Sequence, residues 1–422
     1  MRLYAWGDDT RRRRKMTIST SLTTPLVAIV GITGKQGGSV ARALIQSDQQ
    51  YRIRGITRDV SKPAAKVFAE QGVELVQASL TVGNEEAAKQ AFVGADIVFG
   101  VTNFPEHLDA GREIAEGKLI VDAVKSACPS LKLFVWSGIQ SITELSGGRL
   151  QDANFFDSKA AVTAYARASG VPLAVVSPGY YMTNIFNAVS SALVAKGDGA
   201  YTFGFPMAMT TRLPFADIPG DYGLYVRAAI ELPELGAGSE LRAGTMCEVG
   251  EAIRELSEVS GKNITYDPIS VEKFLATFPF KPLAPGLSHI APPWPGAALE
   301  MEVANPSHFA APKSAVCPSS ESGSQAHPGC SRLRLRLFLR LPLQRPRAAH
   351  AATGIGMVEI PSGAKPRRGL VHMYQSFEAN GFHGGKEPTE SALLARKPKS
   401  WKEYLEGLGR DEVVKMLGLE SE

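Results

Sequence analysis

The stretch PLVAIVGITGKQGGSVARALIQS (25–47) decides the fold of this chain. It opens with a short apolar run at 25–31, which is typical of a buried strand. It ends at 37–47 with apolar residues at helical spacing. The junction between these two parts is the glycine-rich segment GITGKQGG (31–38), so the stretch predicts a strand, a tight turn and a helix.

The same alternation of strand and helix continues to about residue 180. Helical stretches such as 84–94 and 115–127 separate further β-rich runs, which lie at 52–57, 73–78, 95–101, 131–138 and 171–179. Strands that are apolar throughout are buried on both faces, and their alternation with helices is typical of a parallel sheet covered by helices. We therefore predict an α/β fold, with a doubly wound parallel sheet over 25–180 and a smaller α/β domain at 181–280 and 369–422.

The smaller domain shows local signals of its own. Residues 210–230 indicate a strand or turn followed by a helix that Asp217 caps, and DPISVEKFLATF (267–278) indicates another capped helix. The C-terminal stretch at 397–420 indicates an amphipathic helix or helix pair.

Three of the four glycines of the junction, spaced three residues apart, predict what it binds. Gly31 lets the chain turn sharply after the strand, Gly34 lets a pyrophosphate approach the backbone, and Gly37 lets the helix pack closely on the strand. The phosphates would then lie on free N–H groups at the positive end of the helix. Because the G-x-x-G-x-x-G spacing lies inside a β-α-β unit, it predicts a dinucleotide site. The alternative is a glycine-rich turn that binds nothing.

The residue that selects between the two nicotinamide dinucleotides lies about 20 residues beyond the last glycine of such a unit. Here the second strand ends in GITRD, which places Arg58 at that point. An arginine fork suits the 2′-phosphate of NADP, and Lys35 in the glycine loop adds a second positive charge. We therefore expect NADP rather than NAD; a surface arginine paired with Asp59 is the alternative.

Composition places the chain among ordinary globular proteins. Of its 422 residues, 44% are hydrophobic and 21% are charged. No apolar run approaches the roughly 18 residues that a membrane helix needs, so we expect no membrane contact. The four cysteines are widely scattered, which suits a reducing compartment. We expect a cytoplasmic location, with the nucleus as a further compartment, and no metal site.

Two segments carry the basic charge. The net charge of +4 is made of +4 from residues 1–15, +7 from 281–368 and −7 from the rest. The RRRRK run at 11–15 could act in nuclear import or nucleic-acid binding, but we favour a solvated, disordered tail over 1–24 and no direct contact with nucleic acid. Residues 281–368 hold 13 of the 27 prolines and show no sustained periodicity, so we predict a disordered insertion there.

Longer stretches resemble the NmrA-like family, an atypical branch of the short-chain dehydrogenases and reductases. The resemblance covers roughly 25–280 and resumes at 369–418, and it rests on the glycine loop, GITRD, VTNFPEHLDAGREIAEGKLIVDAVK, VWSGIQSI, NFFDSKAAVTAYARASGVPLAVVSPGYYMTNI and GFHGG. It implies a Rossmann domain that binds NADP and a smaller domain that closes a cleft. One departure is Ser79, where relatives commonly carry an aspartate near the adenine.

The resemblance also implies which residues contact the cofactor. Carried over position by position, they are Gly31, Ile32, Thr33, Gly34, Lys35, Gln36, Gly37, Arg58, Thr102, Asn103, Phe104, Lys159, Tyr180, Tyr181 and Asn184. Some members of the family resemble redox sensors that bind the dinucleotide and regulate a transcription factor or an enzyme. Others look like oxidoreductases of secondary metabolism, so the family alone leaves the function open.

The hexapeptide NFFDSK (154–159) bears on that choice. Many related enzymes use a tyrosine four residues before the lysine to pass the proton, but Phe155 holds that place here and cannot donate one. Lys159 can still hydrogen-bond the nicotinamide ribose, and a lowered pKa would suit it for acid–base work. Tyr180 and Tyr181 could offer alternative hydroxyl groups, but for both we favour a role in stacking on the cofactor or in the core.

From these residues we favour an NADPH-dependent oxidoreductase that reduces a small organic substrate. Lys159 is the candidate catalytic residue, and the usual tyrosine is missing. The alternative is a non-catalytic NADP(H) sensor that regulates a protein partner.

Overall fold

The structure is a computed structural model that describes residues 18–186, 193–270, 273–274 and 365–419. All of these residues belong to one compact unit. The basic run at 11–15 and nearly all of the predicted insertion lie outside the described residues. Ser19, within the predicted tail, is described, and its amide donates to the Tyr51 carbonyl at 3.0 Å.

The strands of the described residues form three sheets. In chain order the strands are β1 (Leu26–Val30), β2 (Arg52–Thr57), β3 (Glu74–Gln77), β4 (Ile97–Gly100), β5 (Leu133–Trp136), β6 (Leu173–Ser177), β7 (Tyr180–Tyr181), β8 (Leu193–Gly197), β9 (Ala200–Phe205), β10 (Arg212–Ala216), β11 (Glu240–Arg242), β12 (Thr245–Glu248) and β13 (Asn263–Pro268). The main sheet has seven strands in the order β11-β6-β5-β4-β1-β2-β3, and its neighbours pair in parallel. The predicted parallel sheet is confirmed.

Helices cover the main sheet and also pack against the smaller sheets. In chain order they are α1 (Lys35–Ile45), α2 (Pro63–Ala69), α3 (Glu85–Phe92), α4 (Ala110–Ala127), α5 (Ile142–Leu145), α6 (Asn154–Ser169), α7 (Ile218–Glu231), α8 (Val249–Ser260), α9 (Lys365–Asn380), α10 (Trp401–Leu408) and α11 (Arg410–Met416). Short 3₁₀ turns lie at Phe104–Glu106, Pro233–Leu235 and Ser391–Leu393.

Side chains alternate between the two faces of the main sheet. Along β1, Val27 and Ile29 pack with α1 and α7, whereas Leu26, Ala28 and Val30 pack with α3, α4 and α6. Successive side chains of a strand point to opposite faces. A run that is apolar throughout therefore buries both faces, which is why the sequence pattern identified a sheet with helices on both sides.

The strand order of the main sheet reverses beside β1. The chain runs from β1 outward to β2 and β3, then crosses to β4 on the other side of β1 and continues to β5 and β6. Open α/β sheets bind their ligands at such a switch point, in the crevice at the carboxyl ends of the strands. The segments that follow β1, β2, β4 and β5 therefore border the candidate site.

Beyond β6 the chain contributes both to the main sheet and to a second core. β11 forms the edge of the main sheet beside β6, and α7 packs on one face of it. The division of the chain at residue 180 accordingly remains a prediction. The second core is rich in aromatic rings, among them Phe203, Phe215, Phe377 and Trp401.

Several local predictions fall in this later part. Asp217 caps α7 as predicted, since its carboxylate accepts from the Gly220 amide at 3.1 Å. The predicted C-terminal helix or helix pair is the pair α10 and α11, and Ser400 and Glu403 form a capping box at its start.

Two predicted boundaries are wrong. The helix expected over 267–278 does not begin at Asp267, because that residue lies in β13, which pairs along its whole length with β9. Most of the remaining residues of that helix lie outside the described residues. The expected insertion over 281–368 ends too late, because α9 already begins at Lys365.

Candidate functional site

The glycine loop follows β1 and opens α1. Gly31 has a φ angle of +66°, in the left-handed region that glycine enters without steric cost. Its amide donates to the Ile56 carbonyl of β2 at 2.9 Å, which fixes the turn against the sheet. A Cβ atom on Gly37 would lie 2.3 Å from the Gly31 carbonyl oxygen, so only glycine lets the helix pack this closely. Both glycines have the structural roles that the spacing predicted.

The amino terminus of α1 presents backbone donors. Gly34 is the N-cap residue of α1 and has no side chain with which to cap it. The first N–H groups of a helix have no partner within the helix, and the helix dipole makes that end positive. This combination suits a phosphate group.

The other side chains of the loop have different surroundings. Ile32 is fully buried, and a Cβ atom on Gly55 would lie 2.4 Å from the Ile32 Cδ1 atom, so this side chain packs into β2. The Thr33 hydroxyl lies 3.5 Å from the Thr57 hydroxyl. Lys35 is exposed. Any contact of Ile32 with a cofactor would therefore come from its backbone.

Gln36 connects the glycine loop to the segment after β6. Its Nε2 atom donates to the Tyr181 hydroxyl at 2.7 Å, and its Oε1 atom is buried with no hydrogen-bond partner in the described part of the chain. The Tyr180 ring instead packs edge-on against Phe215, with ring centroids 5.5 Å apart. Asn184 is half-buried just beyond. The fold thus brings Tyr181 to the loop and places Tyr180 in the aromatic core.

Arg58 directly follows β2 and forms an ion pair with Glu106. The other carboxylate oxygen of Glu106 accepts from Asn103 Nδ2 at 3.1 Å. Asp59, the alternative partner considered for Arg58, accepts hydrogen bonds from Ser61. Glu106, which the sequence did not single out, therefore holds both Arg58 and Asn103, two of the residues expected to contact the cofactor.

Lys159 lies on α6 and reaches the segment after β4. Its ammonium group donates to the carbonyl and hydroxyl oxygens of Thr102 at 3.0 and 2.9 Å and to Glu113 Oε1 at 2.6 Å. The Thr102 hydroxyl donates to the same Glu113 oxygen at 2.7 Å, and the Ser158 hydroxyl donates to the other one. Glu113 is completely buried. Lys159 is thus one member of a closed polar network.

Burial lowers the pKa of Lys159, and the charge and hydrogen bond of Glu113 oppose that shift. An ammonium group has three donors, and the network accepts from all of them. A ribose hydroxyl that binds Lys159 must therefore replace one of these acceptors. Glu113 was not singled out from the sequence, because an acidic residue in the first turn of a helix is common on a solvated surface; its position in the family stretch at 101–125 was the one available signal.

Phenylalanine rings line the segment after β4. Phe104 is buried, and its ring centroid lies 6.0 Å from that of the half-buried Phe155. Phe155 in turn lies 5.1 Å from Phe156, which belongs to the aromatic core. These ring contacts connect the segment after β4 with the first turn of α6 and with the aromatic core.

Gln140 and His383 form a second polar pair that the sequence did not assign to the site. Gln140 Nε2 donates to the His383 carbonyl at 3.2 Å. Gln140 Oε1 and His383 Nδ1 are both buried without a hydrogen-bond partner among the described residues. Burial lowers the pKa of His383 to about 4, so its imidazole is neutral at neutral pH. The one available signal was the position of His383 in GFHGG, a stretch of the family resemblance.

The described ranges also bear on the expectations for a metal site, a membrane span and the adenine contact. Within them, no group of three or more His, Cys, Asp or Glu side chains is placed to hold a metal ion. No helix in that part of the chain is long and apolar enough to cross a membrane. Ser79, at the position expected near the adenine, shares a hydrogen bond with Thr81 at 3.2 Å.

Residues 23–291 match the NmrA-like family. The chain is 30% identical over 264 residues to the NmrA-like family domain-containing oxidoreductase FrzB of a Cladobotryum species. The aligned region covers 58% of this chain and 76% of that protein. It is also 30% identical over 268 residues to the oxidoreductase cpsB of Aspergillus campestris, which covers 60% of this chain and 77% of that protein.

Solved structures of NmrA, a negative transcriptional regulator, share this fold. NmrA in complex with NADP has a TM-score of 0.51 at 23% identity, over 58% of this chain and 74% of that chain. NmrA in complex with NAD has a TM-score of 0.50 at 22% identity, with the same coverage. At these identities the likeness concerns the fold alone.

Proposed function

The chain belongs to the NmrA-like family, and we propose that it binds NADP(H) and uses it to reduce a small organic substrate. The observation that carries the proposal is the glycine loop at the switch point of the sheet, with Gly31 in the left-handed region and Gly37 closely packed on the turn. Both relatives named above are called oxidoreductases. The solved NmrA structures hold NADP or NAD, which supports a nicotinamide dinucleotide as the ligand.

Preference for NADP(H) would come from Arg58, with Lys35 as a second cation. Arg58 follows β2, where a dinucleotide fold recognises the adenosine ribose. A guanidinium group can hold a 2′-phosphate with two charge-assisted hydrogen bonds, whereas an acidic residue at this place would favour NAD.

The bound cofactor would supply the hydride, and the chain would supply positioning and a proton. Lys159 remains the candidate catalytic residue, held by Thr102 and Glu113 at the end of β4. Phe155 cannot donate a proton, but the Tyr181 hydroxyl accepts from Gln36 and keeps its own hydrogen. Burial raises the pKa of Tyr181, so its hydroxyl stays protonated at neutral pH and can act as a donor.

One observation favours the sensor alternative. Within the described residues the acceptors of Lys159 come from Thr102 and Glu113, and Phe155, one turn before Lys159 on α6, has no hydroxyl group. Such a site suits a protein that binds the dinucleotide, leaves it unchanged and signals to a transcription factor or an enzyme.

Turnover of NADPH separates the two functions. The full chain is incubated with NADPH and a panel of ketones, quinones and enones, and loss of the nicotinamide absorbance is followed. A reductase consumes NADPH with at least one class of substrate. Lys159→Met combined with Glu113→Gln removes both charges of the buried pair, and we expect it to abolish turnover. Lys125→Met, which changes an exposed lysine of α4, is the matched control and should keep it.

Each result of the NADPH binding and turnover measurements supports or contradicts one of the two functions. Tight NADPH binding without turnover on any substrate would favour the sensor. Turnover that survives loss of the Lys159–Glu113 pair would remove Lys159 from catalysis. Absence of NADPH binding would contradict both functions.

A further inference from the structure

Glu106 holds two of the side chains that we assign to the cofactor. One of its carboxylate oxygens pairs with the Arg58 guanidinium group, and the other accepts from Asn103 at 3.1 Å. Two neighbouring oxygens on a negatively charged group are also what a phosphate presents to such donors. The Glu106 carboxylate therefore makes the contacts that a phosphate near Arg58 would make.

The position of this ion pair matters as much as its chemistry. β2 and β4 lie on either side of β1 in the main sheet. Arg58 directly follows β2, and Glu106 ends the 3₁₀ turn that follows β4. The pair thus joins these two segments across the carboxyl end of β1, where the glycine loop begins. A dinucleotide bound at the loop has to pass this place.

We propose that Glu106 is a selectivity residue: it competes with the 2′-phosphate of NADP(H) for Arg58 and so reduces the preference for NADP(H) over NAD(H). The proposal rests on the proposed function and adds to it. NADP(H) must exchange Glu106 for its own phosphate, whereas NAD(H) has no such phosphate and leaves the pair intact.

The ion pair is weak enough to be exchanged. The Arg58 side chain is 64% exposed and that of Glu106 is 38% exposed, and pairs with such access to solvent contribute little to stability. A phosphate carries more negative charge than a carboxylate, so Arg58 gains from the exchange. The displaced Glu106 remains nearby and repels the phosphate, so its charge also weakens the binding of NADP(H) after the exchange.

Glu106 carries that charge at neutral pH. Burial alone would raise its pKa, but its charged and hydrogen-bonding neighbours, Arg58 first among them, together leave the pKa below its usual value. The hydrogen bond from Asn103 and the charge of Arg112 act in the same direction. A neutral side chain of the same shape at position 106 therefore removes the competition without changing the packing.

Calorimetric titration of the full chain with NADP⁺ and NAD⁺ tests the proposal through Glu106→Gln. We expect this variant to bind NADP⁺ about fivefold more tightly than the wild type, which is the upper range for an exposed ion pair, and to bind NAD⁺ equally well. Glu74→Gln is the matched control, because Glu74 pairs with Arg54 at 3.0 Å on the neighbouring strands. It should change neither affinity.

A second variant tests that the effect acts through Arg58. In an Arg58→Ala background, Glu106→Gln should give a clearly smaller gain for NADP⁺, because no guanidinium group remains to be released and only the repulsion by the Glu106 charge is removed. Three results would overturn the competition and leave the proposed function standing. Glu106→Gln could raise NADP⁺ affinity equally with and without Arg58, or change NADP⁺ and NAD⁺ affinity equally. It could also leave NADP⁺ affinity unchanged although the wild type binds NADP⁺. A wild type that binds neither dinucleotide would overturn both.

Discussion

At the scale of single residues, the buried pair of Lys159 and Glu113 ties the candidate catalytic lysine to stability. Lys159→Met leaves Glu113 buried without its cation, and breaking a buried pair in this way costs roughly 3–5 kcal/mol. Changing both residues, Lys159→Met with Glu113→Gln, removes the unpaired charge, and we expect it to restore most of that loss. Urea unfolding measures both variants. A double variant as unstable as the single one would contradict the pairing.

His383 makes stability depend on pH. Its pKa is about 4 in the folded protein, against an ordinary value of 6.5, because burial disfavours the charged imidazole. The unfolded chain therefore binds the proton more readily, so this contribution is complete above pH 6.5 and is lost as the pH falls towards 4. The expected loss is roughly 3 kcal/mol. His383→Gln should flatten that part of the profile in urea unfolding, and an equally steep profile would show that other groups cause it.

Local spacing decides which site residues could be predicted. Gly31, Gly34 and Gly37 follow from a seven-residue pattern, because the turn that they form is itself local. The ion pairs are not local: Glu113 lies 46 residues from Lys159, and Glu106 lies 48 residues from Arg58. Such pairs depend on how distant helices and loops pack, which a single sequence does not encode in any short pattern.

At the scale of elements, the junction of β1 and α1 depends on Gly37. Gly37→Ala would place a Cβ atom 2.3 Å from the Gly31 carbonyl oxygen and push α1 off the turn. Overpacking of this kind costs roughly 1–3 kcal/mol. We expect Gly37→Ala to lower the free energy of unfolding by that amount and to weaken dinucleotide binding, as measured by urea unfolding and calorimetry.

Gly407→Ala is the control for that prediction. Gly407 lies in α10, and a Cβ atom there would meet nothing within 4 Å. Alanine is the better helix former, so this variant should be as stable as the wild type or more stable by up to about 1 kcal/mol. If both glycine variants behave alike, close packing at Gly37 is not the cause.

Strands and helices were predictable where the spacing of apolar residues matches the residue period of the element that forms. The strands β1 to β6 all appear within the β-rich runs that indicated them, although β3 at the edge of the sheet is only half-buried or exposed. β13 was missed because Asp267 and Pro268 resemble the start of a helix, whereas pairing with β9 holds them in a strand. Tertiary pairing overrode the local preference at that point.

At the scale of the whole molecule, the predicted insertion should be dispensable. Deleting residues 281–364 and joining the ends with a short glycine–serine linker keeps α9, which begins at Lys365. Long surface segments add little to the entropy of loop closure, and a proline-rich composition does not favour a packed core. We expect NADPH affinity within about twofold of the full chain by calorimetry. A deletion variant that fails to fold would place this segment within the smaller domain.

The division into two domains at residue 180 stays a prediction at this scale. Alternation of strands and helices weakens after residue 180, which suggested a boundary there. Yet Tyr222 and Tyr225 of α7 are buried in the same core as β1, and β11 extends the main sheet. A chain that returns to an earlier sheet leaves no local mark in its sequence.

Selective binding of NADP(H) at the glycine loop is the central claim, and calorimetry with NADPH and NADH tests it most directly. The full chain should bind NADPH at one site and at least tenfold more tightly than NADH, because a charge-assisted contact of Arg58 with the 2′-phosphate is worth roughly 1.5–3 kcal/mol. Arg58→Ala should remove that difference and leave NADH binding unchanged. Tighter binding of NADH, or equal losses of both dinucleotides in Arg58→Ala, would contradict the claim.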